Sequence, residues 1–178
     1  SKAQSRGQLG EAQLEMILES SGLKEGIHFE RQEYRVSDGE ISKPDITIKM
    51  PGGTEIFVDS KFPFDRFWDG ISADDPTERS THMAAHAKDL LNHINALAKR
   101  GYQNNGASPD FVVLFAPFES ILSEALDADS LLLQKAFAKN VVLATPTTML
   151  ALLRTIAYGF SRHDLARNAD EIRSLAGE

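Results

Sequence analysis

Apolar residues recur along this chain with two different periods, and the changes between them mark its elements. Residues 7–21 carry helical spacing, with Leu14, Ile17 and Leu18 on one face and Gly22 placed to stop the helix. Strand-like runs follow at 29–36, closed by Ser37-Asp38-Gly39, and at 46–50 and 56–61. Pro51-Gly52-Gly53 joins the last two as a hairpin. A long helix is predicted over 77–100, because Met83, Ala87, Leu90, Leu91, Ile94, Leu97 and Ala98 share one stripe. Phe111 to Phe115 is an uninterrupted apolar run, as expected of a strand covered on both faces. Helical patterns occupy 120–138 with a break near 127–130, and 141–144 is a second short buried strand. Thr145-Pro146 has the form of a cap followed by a helix-opening proline, predicting a helix through Ile156. A separate charged amphipathic helix is predicted over 163–175. This order describes an α/β fold, a mixed central sheet flanked by helices.

Composition narrows the class. At 178 residues, 42% hydrophobic and 25% charged, the chain is expected to form one domain, 1–178, with a substantial core. It has no cysteine, which removes disulfides and thiolate metal sites and fits a reducing, cytoplasmic setting. No apolar run approaches the ~18–20 residues of a membrane helix, and no signal-peptide pattern opens the chain, so no membrane contact is expected from this segment. A start at Ser1-Lys2 fits a piece cut from a longer protein, which leaves anchoring and homo-oligomerisation open. The net charge of −7 argues against general polyanion binding, which needs Lys and Arg.

The chemistry concentrates in KPDITIKMPGGTEIFVDSKFP, residues 43–63. Alternation along the second strand sends Phe57, Asp59 and Lys61 to one side and Ile56, Val58 and Ser60 to the other. With the hairpin centred on Gly52, Asp45 lies opposite Asp59, Cβ atoms ~5 Å apart; a register one residue different sets it against Ser60. Facing carboxylates repel unless neutralised, and an oxygen-only donor set suits a hard cation such as Mg²⁺. Lys61 beside them suits a phosphate oxygen or an attacking water. The plainer alternative makes Asp45 and Asp59 strand-end residues and Lys61 a solvated charge. On the first helix, ~100° per residue puts Leu18 about 20° from Glu11, Leu14 about 60° away, and Glu15 about 40° on the other side. Glu11 therefore borders the buried stripe, where a carboxylate is costly without a partner, and Glu15 lies further toward water.

Asp45 followed by Asp59-Ser60-Lys61 resembles the PD-(D/E)xK nuclease motif, and the order helix, three strands, helix, strand is similar to that superfamily's core. More narrowly, the chain resembles the RmuC family of bacterial DNA recombination proteins through GQLGEAQLEMILESSGL, KPDITIKMPGG, FVDSKFP, HAKDLLNHINALAKRGY, SPDFVVLFAPFES and LATPTTMLALLRTIAYGF. The resemblance implies a restriction-endonuclease-like domain that hydrolyses DNA phosphodiester bonds with Mg²⁺ or Mn²⁺. Asp45 and Asp59 then bind the metal, Glu11 completes the site and Lys61 serves the water or the phosphate. It also implies a membrane segment and a long coiled coil elsewhere in the family's chains. The rival reading is a nuclease-like module that binds DNA or a recombination partner without cutting, which the acidic net charge favours. A hydrolase of another phosphate ester is a third.

Other groups along the chain carry candidate chemistry of their own. His82, His86, Asp89 and His93 fall within about 60° on the long helix, which allows a zinc site, polar edge residues, or contact of His86 and His93 with DNA phosphate. Arg79, Lys99 and Tyr102 at the helix ends are further DNA candidates, or simply solvated. Phe62, Phe64, Phe67 and Trp68 suit either a base-stacking platform or packing against the long helix. Thr145-Pro146-Thr147-Thr148 suits an anion site or a plain helix cap. Asn104-Asn105-Gly106 and Asp74-Asp75 read as loops.

Overall fold

The structure, a computed structural model, describes residues 2–31, 44–100 and 111–177. Its elements in chain order are α1 (Lys2–Ser20), β1 (Phe29–Arg31), β2 (Ile46–Lys49), β3 (Glu55–Asp59), α2 (Asp65–Ser72), α3 (Pro76–Arg100), β4 (Val112–Phe115), α4 (Glu119–Ala128), α5 (Leu132–Phe137), β5 (Val141–Ala144) and α6 (Pro146–Ala176). The far end of the first predicted strand, Tyr102 and the Asn104-Asn105-Gly106 loop lie outside the described residues.

The strands form one sheet in the order β1-β2-β3-β4-β5. The first three are antiparallel, and β3, β4 and β5 are parallel. Parallel neighbours need a crossover, and the helices between β3 and β4 and between β4 and β5 supply it. Alternation along each strand then feeds two cores. Phe57, Leu114 and Val141 pack with Phe67, Leu90, Ile94 and Ile121 under α2 to α5. Ile46, Ile48, Val58, Val113 and Phe115 pack on the other face with Leu14, Leu18, Met149 and Leu153 of α1 and α6. The central run is covered on both sides as its composition predicts, with Val113, Leu114 and Phe115 wholly buried.

Turn chemistry sets the register. Gly52 and Gly53 adopt φ of 95° and 98°, a region that side chains disfavour, and they close β2 onto β3 with Ile46 opposite Val58 and Lys49 opposite Glu55. Gly22, at φ 88°, ends α1 as expected.

Two elements differ from the sequence reading. The residues after the motif form α2, which contributes Phe67 to the core and presses Gly70 against Met83 of α3. The predicted pair of C-terminal helices is a single helix, α6. No proline or cap separates its halves, and one glycine, Gly159, costs a helix only about 1 kcal/mol relative to Ala. Its second half, from Ser161 onward, is exposed throughout.

Candidate active site

The hairpin register brings the two aspartates to the same end of the sheet. One step outward from the Ile46–Val58 pair lie Asp45, just before β2, and Asp59, the last residue of β3. Asp59 is only 3% exposed, and its Oδ1 accepts a hydrogen bond from the Lys61 backbone N–H at 2.8 Å. This local turn ends the strand and swings Lys61 outward. Asp45 turns toward the next residue: its Oδ2 accepts from both the N–H and the hydroxyl of Ser60, each at 2.9 Å. The other oxygen, Oδ1, lies 3.7 Å from Lys61 Nζ, with the lysine side chain 52% and the aspartate side chain 15% exposed. Lys61 is thus a half-exposed charge within ion-pairing distance of Asp45.

Helix α1 is seated on the motif by Gly10. A Cβ at that position would lie 2.9 Å from the Ser60 carbonyl oxygen, so only glycine lets the helix approach this closely. The next residue, Glu11, thereby lines a cavity of about 120 Å³ together with Leu14, Glu15, Arg31, Asp45, Ile46 and Ser60. Ser60 also borders a second cavity, about 270 Å³, lined by Gly7, Lys61, Phe62, Pro63, Phe64, Asp65 and His93. The motif thus forms the wall between two concavities, one acidic and one holding the lysine and a histidine.

Arg31 is the participant that the sequence reading missed. Its Nη1 donates to Glu15 Oε1, and its Nε lies 3.1 Å from Glu25 Oε1. The hydrogen bond donated to Glu15, with the charges of Glu15 and Glu25, raises the guanidinium pKa against the opposing effect of burial. Glu15, expected to face water, is accordingly tied across to β1. A signal was available: Phe29 and Arg31 share a strand face, Phe29 is buried in the α1-side core, and a charge on that face must meet something. Arg31 pairs with Ile46 and so stands beside Asp45.

Oxygen donors only, from Asp45, Asp59 and Glu11, match the preference of a hard divalent cation in chemical type. Among the described residues no group of three or more His, Asp or Glu side chains stands in geometry to hold a metal ion. The same holds for zinc on the α3 histidines.

The tentative DNA surface divides. His86 is corrected: it is 1% exposed, its Nε2 is 2.8 Å from the Ile121 carbonyl, and it packs against Phe67. Burial lowers its pKa, outweighing the Ile121 hydrogen bond and the charges of Asp89 and Glu124. A neutral imidazole in the core has no access to phosphate. Arg79 binds Glu124 at 2.8 Å, tying α3 to α4. Lys99 is exposed near the end of α3, and His93 lines the Lys61 cavity. Phe62, Phe64 and Phe67 are core residues and Trp68 is partly exposed, so packing accounts for most of that aromatic run. At the start of α6, Thr148 Oγ1 accepts from Thr145 N at 2.8 Å, and Glu119 Oε1 accepts from Thr147 N at 3.1 Å. A carboxylate of this chain already occupies that helix end, and the Thr145 and Thr147 hydrogen bonds lower its pKa. No helix among the described residues is long and apolar enough to cross a membrane.

The family model described as the RmuC family matches residues 1–178. The DNA recombination protein RmuC homolog of Zymomonas mobilis is 38% identical over 174 residues, covering 97% of this chain and 39% of that protein. The corresponding homolog of Pseudomonas aeruginosa is 38% identical over 175 residues, with the same coverage. The DNA recombination protein RmuC of Escherichia coli is 32% identical over 176 residues, 97% of this chain and 37% of that protein. The chain therefore spans less than two-fifths of the length of these relatives. No solved structure matches it.

Proposed function

This chain belongs to the RmuC family, and from that premise we propose that it is a restriction-endonuclease-like domain that hydrolyses DNA phosphodiester bonds with Mg²⁺ or Mn²⁺ in the cytoplasm, in the service of DNA recombination. The observation that carries the reading is the contact of Lys61 Nζ with Asp45 Oδ1 at 3.7 Å, at the strand end that also carries Asp59. A cation beside Asp45, with Asp59 ending the adjacent strand and Glu11 lining the same cavity as Asp45, suits phosphodiester hydrolysis better than it suits a simple strand terminus.

Asp45, Asp59 and Glu11 would have to converge to hold the ion, since they form no such cluster in this structure; the ion when bound would polarise the phosphate and lower the pKa of a water. Ser60 fixes the orientation of Asp45 through its two hydrogen bonds. Lys61, whose side chain is 52% exposed, would orient the water or stabilise charge growing on the phosphate oxygens.

The test is incubation with supercoiled, linear and branched DNA, with Mg²⁺, with Mn²⁺ and with chelator, beside Asp59→Ala and Lys61→Ala. Metal-dependent cleavage lost in both variants supports the enzyme. Equal cleavage in the variants defeats it. A second reading, a module that binds DNA or a recombination partner without cutting, is favoured by the lack of a preassembled three-acid cluster among the described residues and by the net charge of −7. DNA binding that survives both substitutions with no cleavage in any metal would establish it.

A further inference from the structure

We propose that Arg31 is a DNA-phosphate-binding residue of this site, held by Glu15 and Glu25 until substrate arrives and then transferred from Glu15 to a backbone phosphate. The inference rests on the reading that DNA occupies this cavity, but not on whether DNA is cut. Arg31 is the cation among the residues lining the cavity that Glu11 and Asp45 share. Lys61 lines the neighbouring cavity, which shares Ser60 with this one, and reaches Asp45 Oδ1 at 3.7 Å. With 19 Lys and Arg set against 26 Asp and Glu, contact with a polyanion depends on where the cations stand, and Arg31 and Lys61 are the ones beside this site.

The present partners of Arg31 hold it incompletely. Nε lies 3.1 Å from Glu25 but makes no hydrogen bond among the described residues. The Arg31 and Glu15 side chains are 33% and 45% exposed, and ion pairs this open to water are weak. A phosphate can take two parallel N–H donors from one guanidinium, a stronger and more directional pairing. Exchange of Glu15 for phosphate at the Nη1 edge therefore trades a weak pair for a strong one, while Nε stays beside Glu25.

The experiment is DNA binding by fluorescence anisotropy, in chelator, between about 50 and 200 mM salt. Arg31→Gln is expected to weaken binding and to reduce the slope of log affinity against log salt by about 0.9, the loss of one phosphate contact. Arg173→Gln, the same charge change on the exposed end of α6, is expected to leave the slope unchanged. Glu15→Gln is expected to tighten binding, because it frees the guanidinium; this gain of function does not depend on how Arg31→Gln folds. An unchanged slope in Arg31→Gln with no gain in Glu15→Gln would overturn the proposal even if the domain cleaves DNA. The expected slope change in a protein that never cleaves would leave the proposal standing and remove only the nuclease reading. A parent protein with no affinity for DNA would overturn both.

Discussion

Ser60 holds Asp45 twice, through its backbone N–H and its hydroxyl, both on Oδ2 at 2.9 Å. The residue between the motif aspartate and the motif lysine is therefore a structural member of the site. It fixes one carboxylate oxygen and leaves the other facing Lys61.

Ser60→Ala removes one of those donors and keeps the backbone one. A buried hydrogen bond to a charged group contributes about 1.5–3 kcal/mol, and the retained N–H limits the loss to about 1–2 kcal/mol. Urea unfolding is expected to show that decrease. Cleavage, assayed at a temperature where the variant is folded, is expected to fall as Asp45 gains freedom.

Two glycines of α1 make opposite predictions. Gly10→Ala drives a Cβ to 2.9 Å from the Ser60 carbonyl and must displace helix or motif, at a cost of about 1–3 kcal/mol. Gly7→Ala meets nothing within 4 Å and is expected to gain up to about 1 kcal/mol of helix propensity. Thermal denaturation of the two variants side by side checks the sign of each.

His86 predicts an acid-sensitive stability. Burial depresses its pKa in the folded state, so below about 6.5 the unfolded chain binds a proton that the native chain does not. Its contribution is complete above that pH and declines as pH falls toward the folded-state value. Urea midpoints across this range are expected to drop with acidity in the parent and to drop less in His86→Leu, which loses the Ile121 hydrogen bond at every pH.

The outer half of α6 buries nothing: its buried residues are Met149, Leu153 and Ile156, and residues 161–177 are exposed. Truncation after Phe160 is expected to change unfolding free energy by no more than about 0.5 kcal/mol, the range of ordinary surface changes. A larger loss in a denaturant titration would mean that this segment has a packing partner.

Much of this protein follows from local chemistry that a sequence displays. The apolar periods located the strands and the long helix, because alternation and 3.6-residue spacing are properties of single elements. Pro51-Gly52-Gly53 announced the hairpin but left two registers open, and the strand pairing decided for the one that puts Asp45 and Asp59 at a common end. The helical wheel put Glu11 at the border of the buried stripe, where the cavity lies. What only the tertiary structure decided was which charges meet across elements. Arg31 and Glu15 are sixteen positions apart, His86 finds its partner thirty-five positions away at Ile121, and Gly10 owes its role to the carbonyl of Ser60. Such pairings depend on how helices lie on the sheet, a packing problem solved by the whole core at once, and no spacing along the chain encodes them.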